Sequence, residues 1–206
     1  MASNPRKVAA RRYHHGNLRQ ELIDQAIAHV RANGASGLTM RGLADAVGVS
    51  ANAPYRHFAD LEALLDEVTA FSITLLHEDC RTALLAEGSA SDALLAVAAA
   101  WLRWASEEPH LMPLAADLHR LSHAPEGSAL RTAQPLLWAV VFDAFAAVYP
   151  GEDNTAIARR VLVFTSTLYG YILMYKNAGA RLRELPFDAA AADRTMILAA
   201  TGLCFA

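Results

Sequence analysis

Apolar residues recur with helical spacing along almost the whole chain of 206 residues. They fall at positions i, i+3, i+4 and i+7, and no stretch alternates with period two for long enough to form a strand. Glycine, proline and asparagine interrupt the pattern and divide it into about nine segments without an internal repeat. The sequence therefore predicts an all-α fold of about nine helices.

The most specific pattern occupies residues 39–58, TMRGLADAVGVSANAPYRHF. An apolar stripe begins after Thr39, which is a favourable helix N-cap residue. The stripe stops at Gly48, which can take the positive φ of a helix end. The pattern predicts one short helix, with Met40, Leu43, Ala44 and Val47 on its buried side.

A second short helix is predicted directly after this turn, with Ser50 as its cap. Ala51, Tyr55 and Phe58 follow at helical spacing and are expected to point back towards the first helix. Two short helices joined by a tight turn that contains glycine are the sequence form of a helix-turn-helix. In DNA-binding examples the second helix enters the major groove.

Helices are also predicted on both sides of the motif. Residues 17–33 carry an apolar stripe, and Asn17 followed by Gln20 has the spacing of a capping box. Asp60 can cap a long helix that begins only two residues after the motif, so the motif and the rest of the chain are expected to share a stiff connection. The later predicted helices span residues 91–106, 109–121, 130–149, 153–177 and 187–203, with a loop at 122–127.

Charge is distributed unevenly along the chain. The net charge of −3 argues by itself against nucleic acid, but residues 1–60 hold eight Lys or Arg against four acids, and the remainder holds 10 against 17. This asymmetry predicts a basic module on an acidic body. Residues 1–13 are a basic stretch, predicted to be a flexible arm that can close on phosphates or the minor groove.

Other compositional signals favour a cytoplasmic protein. Cys80 and Cys204 have no metal or redox spacing and are expected to be reduced thiols. The N-terminus has no apolar core of a secretory signal. The apolar runs 136–149 and 161–175 are shorter than the roughly 20 residues of a spanning helix and are predicted to be buried helices.

Residues 18–65, about a quarter of the chain, resemble the N-terminal domain of TetR/AcrR-type transcriptional repressors. The Ala53–Phe58 segment, and a glycine after an aromatic residue at Tyr169-Gly170, are similar to the subgroup with a WHG-type C-terminal domain, although Leu168-Tyr169 stands where that subgroup has Trp-His. The resemblance is carried by Gly37-Leu38-Thr39-Met40-Arg41, Leu43-Ala44, Val47-Gly48-Val49-Ser50, Ala53-Pro54-Tyr55-Arg56-His57-Phe58 and Leu64-Leu65.

The resemblance implies which residues contact DNA. Arginine reads guanine, asparagine can pair with adenine, and alanine suits the thymine methyl group, whereas the aromatic end of the motif implies phosphate contacts. Leu61 departs from the family, which commonly has a phosphate-binding lysine there; Arg56 or the basic arm would compensate. The implied DNA-contacting residues are Thr39, Arg41, Ser50, Ala51, Asn52, Ala53, Tyr55, Arg56 and His57.

The C-terminal part is expected to bind an effector and to dimerise, although each of these residues could instead be core. Aromatic and polar residues on the middle helices are the candidates for an apolar effector pocket: Trp101, Met112, His119, Trp138 and Phe142. The last two helices are apolar nearly all round, which in one protomer would leave an exposed patch. The candidate dimer-interface residues are Phe164, Leu168, Tyr171 and Ile197.

His119 and His123 have a spacing that can chelate a metal. No third ligand has a clear spacing, and a solvated helix end explains the pair more simply, so we predict no metal site and no cofactor. There is also no pairing of nucleophile with base, no glycine-rich phosphate loop and no dense carboxylate cluster, so no enzyme activity is predicted.

Together these features predict a homodimeric transcriptional repressor that leaves a palindromic operator in double-stranded DNA when a small apolar effector binds. The predicted divisions are a basic arm (1–13), a helix-turn-helix domain (14–60) and an effector-binding and dimerisation domain (61–206). The protein would act in the cytoplasm, at the nucleoid, without membrane contact. The alternatives are a helical small-molecule-binding protein or enzyme without DNA function, and a structural dimer.

Overall fold

The computed structural model describes residues 17–86, 88–176 and 188–203. These residues form nine α-helices, one 3₁₀ turn and one π-helical turn, with no strand among them, which confirms the all-α prediction. The basic arm, residues 177–187 and Cys204 lie outside the described residues. No helix of the described segments is both long and apolar enough to cross a membrane.

The helices are numbered in chain order. A 3₁₀ turn (Pro54–Arg56) lies between α2 and α3, and a π-helical turn (Ile172–Lys176) continues α8. The α-helices are α1 (Leu18–Asn33), α2 (Met40–Val47), α3 (Leu61–Ala86), α4 (Ala90–Glu107), α5 (Met112–Ala115), α6 (Leu118–His123), α7 (Ala129–Val148), α8 (Asn154–Tyr171) and α9 (Ala189–Thr201).

The N-terminal helices pack on the start of α3. Helix α1 buries one stripe against α2, the 3₁₀ turn and α3, and we call α1, α2, the 3₁₀ turn and the first two turns of α3, through Val68, the head. Asp60 caps α3, since its carboxylate accepts a 2.8 Å hydrogen bond from the N–H of Ala63. The predicted capping box at α1 is wrong: Asn17 makes no side-chain cap bond, and Gln20 donates to Asp24 instead.

The body is built around α3, which packs against α4 and α7, while α8 and α9 cover the outer sides of these helices. Aromatic side chains pack at the centre of the body. The fully buried Trp101 ring meets the rings of Phe164 and Tyr169 edge to face, at centroid distances of 5.6 and 5.4 Å. Phe145 packs on the other side of Phe164 in the same geometry. Such pairs add stability beyond the burial of their surface.

Two predicted boundaries in the body differ from the structure. Helix α4 begins at Ala90 because Ser89, not Ser91 or Asp92, is the cap, and the Ser89 hydroxyl accepts from the N–H of Asp92. The single helix predicted at 109–121 is two short helices, α5 and α6. Asp117 caps α6, which extends through Ser122 and His123 into the predicted loop.

Cys80 lies inside the body on α3. Burial, with a smaller contribution from the charge of Asp79, raises the pKa of its thiol to about 12. The thiol is therefore protonated at neutral pH and is a poor nucleophile, since the reactive species is the thiolate.

Candidate nucleic-acid interface

Helix α2 presents one side to the core and the other to solvent. Thr39 starts it as predicted, because its Oγ1 accepts a 3.0 Å hydrogen bond from the N–H of Gly42. Met40 and Leu43 are buried against α1. Arg41, the residue after the first buried position, consequently lies on the solvent side and is exposed.

The turn after α2 is a Schellman motif, which redirects the chain within two residues. Gly48 has φ +76° and ψ +34°, the left-handed conformation that favours glycine. Its N–H donates to the carbonyl oxygen of Asp45 at 3.2 Å, and the N–H of Val49 donates to that of Ala44 at 2.9 Å. These hydrogen bonds confirm the prediction that the helix ends at Gly48.

The second motif helix is not an α-helix. Pro54 has no N–H, so the bond to the Ser50 carbonyl that would continue an α-helix cannot form. The N–H of Ala53 donates to Ser50 instead, at 2.9 Å, and the N–H groups of Arg56 and His57 donate to the residues three before them. The segment is a turn followed by one turn of 3₁₀ helix, which has i to i+3 bonds.

This geometry changes which side chains face inward. Ala51 and Tyr55, predicted to point back towards the first motif helix, are exposed, and Tyr55 is 56% accessible. Pro54 and Phe58 are the buried residues of the segment. Phe58 is also covered by the guanidinium of Arg19, 5.2 Å above its ring. The prediction was correct for Phe58 and wrong for the other two.

The residues predicted to contact DNA lie on α2 and on the segment that follows it, and we call this set the basic surface. Arg41 and Arg56 have no carboxylate within ion-pairing distance in the part of the chain that the structure describes. Unpaired guanidinium groups can donate to phosphates or to guanine. Ala53 is half-buried and the others are exposed: Thr39, Arg41, Ser50, Ala51, Asn52, Tyr55, Arg56 and His57.

The family model of bacterial regulatory proteins, tetR family, matches residues 22–68, which span most of α1, the motif and the first two turns of α3. The N-terminal part of this chain is a TetR-type DNA-binding domain. The chain's membership of the WHG-type subgroup stays a prediction.

Solved structures share the fold over nearly the whole chain. A protein with unknown function from Rhodococcus sp. RHA1 is 27% identical, with a TM-score of 0.69 over 91% of this chain and 97% of that one. A TetR-family transcriptional regulator from Bordetella parapertussis 12822 is 21% identical, with a TM-score of 0.63 and coverages of 89% and 94%. The ketosteroid transcriptional regulator KstR2 of Mycobacterium tuberculosis is 18% identical, with a TM-score of 0.61 and coverages of 91% and 94%. No curated protein sequence matches significantly.

The five residues predicted to form an effector pocket lie in different environments, and their assignment stays a prediction. Trp101 and Met112 are fully buried in the core, whereas His119 is exposed on α6. Trp138 and Phe142 are half-buried on the opposite side of α7 and line an open groove against α8 with a volume of about 890 Å³. The pattern could not show this, because aromatic residues at helical spacing do not reveal which neighbour each one faces.

Two of the four predicted dimer-interface residues are also placed differently. Phe164 and Leu168 have no exposed surface and belong to the protomer's own core, so their assignment to the interface is wrong. Tyr171 and Ile197 are half-buried, and the Tyr171 hydroxyl donates to the Asp193 carboxylate of α9 at 2.7 Å. The apolar side chains that α8 and its π-helical continuation expose are Leu162, Val163, Leu173 and Met174.

The histidine pair on α6 forms a stack. The rings of His119 and His123 lie 4.3 Å apart and nearly parallel, and Nδ1 of His123 is 2.9 Å from the carbonyl oxygen of His119. Within the described segments no group of three or more histidine, cysteine or carboxylate side chains could hold a metal ion. Both histidines are exposed at the end of α6.

Ion pairs between the head and the body were missed by the sequence reasoning. Arg31 of α1 pairs with Glu108, and Arg120 of α6 pairs with Glu62 and Asp66 of α3. Burial alone would lower the pKa of Arg120, but hydrogen bonds and charges of the two carboxylates outweigh it and raise the pKa above the usual value. Opposite charges so far apart in sequence carry no local signal of pairing.

Proposed function

We propose that this TetR-type chain is a homodimeric repressor that binds a palindromic operator and releases it when a small, mainly apolar effector binds the body. Residues 14–60 would be the DNA-binding domain and residues 61–206 the effector-binding and dimerisation domain, with residues 1–13 as a basic arm. Because its partner is chromosomal DNA, the protein would act in the cytoplasm, at the nucleoid.

The observation that carries the DNA-binding role is the basic surface. Its arginines, Arg41 and Arg56, are exposed, have no described carboxylate partner and lie within the segment that matches the tetR family model. Phosphate contacts fix a protein on the duplex and base contacts supply specificity. Arg41 and Asn52 are the side chains that we propose for base edges, with Tyr55, Arg56 and His57 on phosphates.

Exposed apolar residues on α8 support the homodimer. Leu162 is 65% accessible and Val163 55%, and Leu173 and Met174 extend the same helix with similar exposure. Contiguous apolar surface on a soluble domain marks an interaction site. A two-fold interface over α8 would bury it and would hold two heads at a fixed separation, as a palindrome requires.

Unpaired polar atoms in the core support an effector site there. The indole N–H groups of Trp101 and Trp104 are buried without an acceptor in the described part of the chain, as is Nδ1 of His77. A buried donor without a partner costs free energy that an acceptor can recover. We propose that the effector is an apolar molecule with a hydrogen-bond acceptor that opens the core near Trp101 and Met112.

The release mechanism follows from α3, which is continuous from the head to the centre of the body. An effector that binds better to a protomer with a tilted α3 would move the head away from the spacing of the operator. A coupling free energy of about 1–3 kcal/mol would lower operator affinity about 5- to 150-fold.

Substitution of Arg41 by alanine tests the assignment of the basic surface. We expect operator affinity to fall by about 1–3 kcal/mol in free energy, since a bidentate base contact is lost. The melting temperature should change little because Arg41 is exposed. Fluorescence anisotropy with a duplex selected from random DNA measures the first quantity, and calorimetry the second.

Arg81→Ala is the matched control. Arg81 is an exposed arginine of the body that pairs only with Glu78 on its own helix among the described residues, so its loss should leave operator affinity unchanged. Equal affinity losses in both variants would contradict the assignment, because they would report net charge and not a specific contact.

A further inference from the structure

The segment between α4 and α7 touches the head at two separate places. We call residues 108–123 the connector; it contains α5, α6 and the turns before them. Its first residue contacts the C-terminal end of α1, and Arg120, near its end, contacts the N-terminal end of α3. The residues contacted at both helix ends lie within residues 22–68, the segment that matches the family model.

The first contact is a two-pronged ion pair. Arg31 Nε donates to Glu108 Oε2 at 3.0 Å, and Arg31 Nη2 donates to Glu108 Oε1. The guanidinium also lies over the Phe71 ring of α3, 5.4 Å from its centroid. A bidentate ion pair whose guanidinium also stacks on an aromatic ring restricts the relative orientation of the two helices as well as the distance between them. Next to it, His110 Nδ1 lies 3.6 Å from the place where a side chain on Gly34 would begin.

The second contact is centred on Arg120, whose side chain is only 12% exposed. Its Nη1 is 2.6 Å from Asp66 Oδ1 and its Nη2 is 2.6 Å from Glu62 Oε2. Nη1 also donates to the backbone carbonyl of Glu62 at 3.3 Å. The guanidinium is therefore joined to the first two turns of α3 at three acceptors. Leu121, buried beside it, anchors α6 to the core.

Two contacts at different ends of the head restrict its rotation in a way that one cannot. If only Glu108 contacted the head, the head could still rotate about the C-terminal end of α1. If only Arg120 contacted it, the head could rotate about the start of α3. Together the two contacts fix the angle between head and body, while the pair of Arg19 and Glu67, at 2.6 Å, holds α1 to α3 within the head. In a dimer that angle determines how far apart the two basic surfaces lie.

We propose that Arg120 and the Arg31–Glu108 pair are positioning residues that set the half-site spacing at which the dimer binds DNA. This inference rests on the proposed dimeric DNA binding. The connector holds each head at one angle, so the unmodified protein discriminates sharply among operators that differ only in the distance between half-sites. Loss of either contact widens the range of spacings that the dimer accepts, without any change at the basic surface.

The test is a spacing series. Duplexes are made from the palindrome selected from random DNA by the full-length protein, with none, one, two or three base pairs inserted at or removed from the centre. Two base pairs shift a half-site by about 7 Å and rotate it by about 70°, since one turn of 10–10.5 base pairs spans 34–36 Å. Affinity for each duplex is measured by fluorescence anisotropy for the unmodified protein, Arg120→Met, Arg31→Gln and Glu108→Gln.

We expect the unmodified protein to lose about 30-fold or more in affinity on a two-base-pair change and the variants to lose several-fold less, a difference within the range of allosteric couplings. The double variant Arg31→Glu with Glu108→Arg should recover the sharp preference, because it restores the pair with reversed polarity. Arg81→Gln, which breaks an ion pair within α3 alone, should keep the preference of the unmodified protein.

The outcomes separate the two proposals. If the unmodified protein selects no duplex, the proposed DNA-binding function fails. If it binds and all variants keep the same spacing profile, the positioning role is overturned while the function stands. If Arg120→Met fails to fold because Arg120 is largely buried, Arg31→Gln and Glu108→Gln test the positioning role without it.

Discussion

Replacement of Leu162 by glutamate is expected to convert the proposed dimer into monomers. Leu162 is 65% exposed on α8, beside Val163 and facing away from the protomer core. In a two-fold interface over this face, each protomer would bring one carboxylate into an apolar contact. The effective cost of burying an ion is several kcal/mol, so the dissociation constant should rise by about three orders of magnitude or more. Analytical ultracentrifugation over a range of concentrations measures it.

Operator binding should weaken when dimerisation is lost. A monomer binds only one half-site. It therefore loses the increase in operator affinity, about 10²- to 10⁴-fold, that the second, tethered head supplies. Leu85→Glu is the matched control: Leu85 is 70% exposed near the end of α3, away from the exposed residues of α8. A dimer that persists unchanged in Leu162→Glu would place the interface on another surface.

Substitution of Phe164 by alanine is expected to destabilise the protein severely. The Phe164 ring is fully buried and packs edge to face between Trp101 and Phe145, with centroid distances of 5.6 and 5.7 Å. Removal of such a ring leaves a cavity and costs about 3–5 kcal/mol. For a protein of this size the melting temperature should fall by about 2–4 °C for each kcal/mol.

This substitution distinguishes a core residue from an interface residue. At a core position the free energy of unfolding falls at every protein concentration, whereas an interface residue changes the concentration dependence of the melting temperature. Leu85→Ala, at a 70% exposed position, should change the melting temperature by little. A loss in Phe164→Ala that vanishes on dilution would show that Phe164 contacts the partner after all.

Local signals in the sequence predicted the frame of the basic surface well. Thr39, Gly48 and Asp60 act through hydrogen bonds to residues three or four positions away, so residue type and spacing alone specify them. The buried stripe of α2 is similarly local. For the same reason the exposed position of Arg41 could be inferred without tertiary information.

The segment after Gly48 shows where local reasoning was incomplete. Ala51 and Tyr55 fit a helical stripe by residue type, but Pro54 removes the N–H that an α-helix needs at that position. The resulting 3₁₀ turn places Pro54 inward and leaves Ala51 and Tyr55 exposed, whereas Phe58 is buried as predicted. The proline was visible in the sequence, and its effect on periodicity was the missed signal.

Helix α8 shows a limit of a different kind. Nearly all of its positions from Val161 to Leu168 are apolar or small, so hydrophobic periodicity cannot distinguish Phe164 and Leu168, which face the core, from Leu162 and Val163, which face solvent. Only the packing of α4 and α7 against one side of α8 determines which of its residues are buried. The ion pairs of Arg31 and Arg120 likewise depend on tertiary proximity.

The salt dependence of binding to the selected palindromic duplex tests the central claim, that the exposed basic surface contacts DNA phosphates, most directly. Each head brings the cations Arg41 and Arg56 to the duplex, so a dimer would displace the counterions of about four phosphates. The account predicts a linear plot of log affinity against log salt, with a slope of about −3 or steeper and a loss of about 10²-fold or more between 50 and 200 mM. A slope near zero, or affinity too weak to measure at the lowest salt, would contradict it.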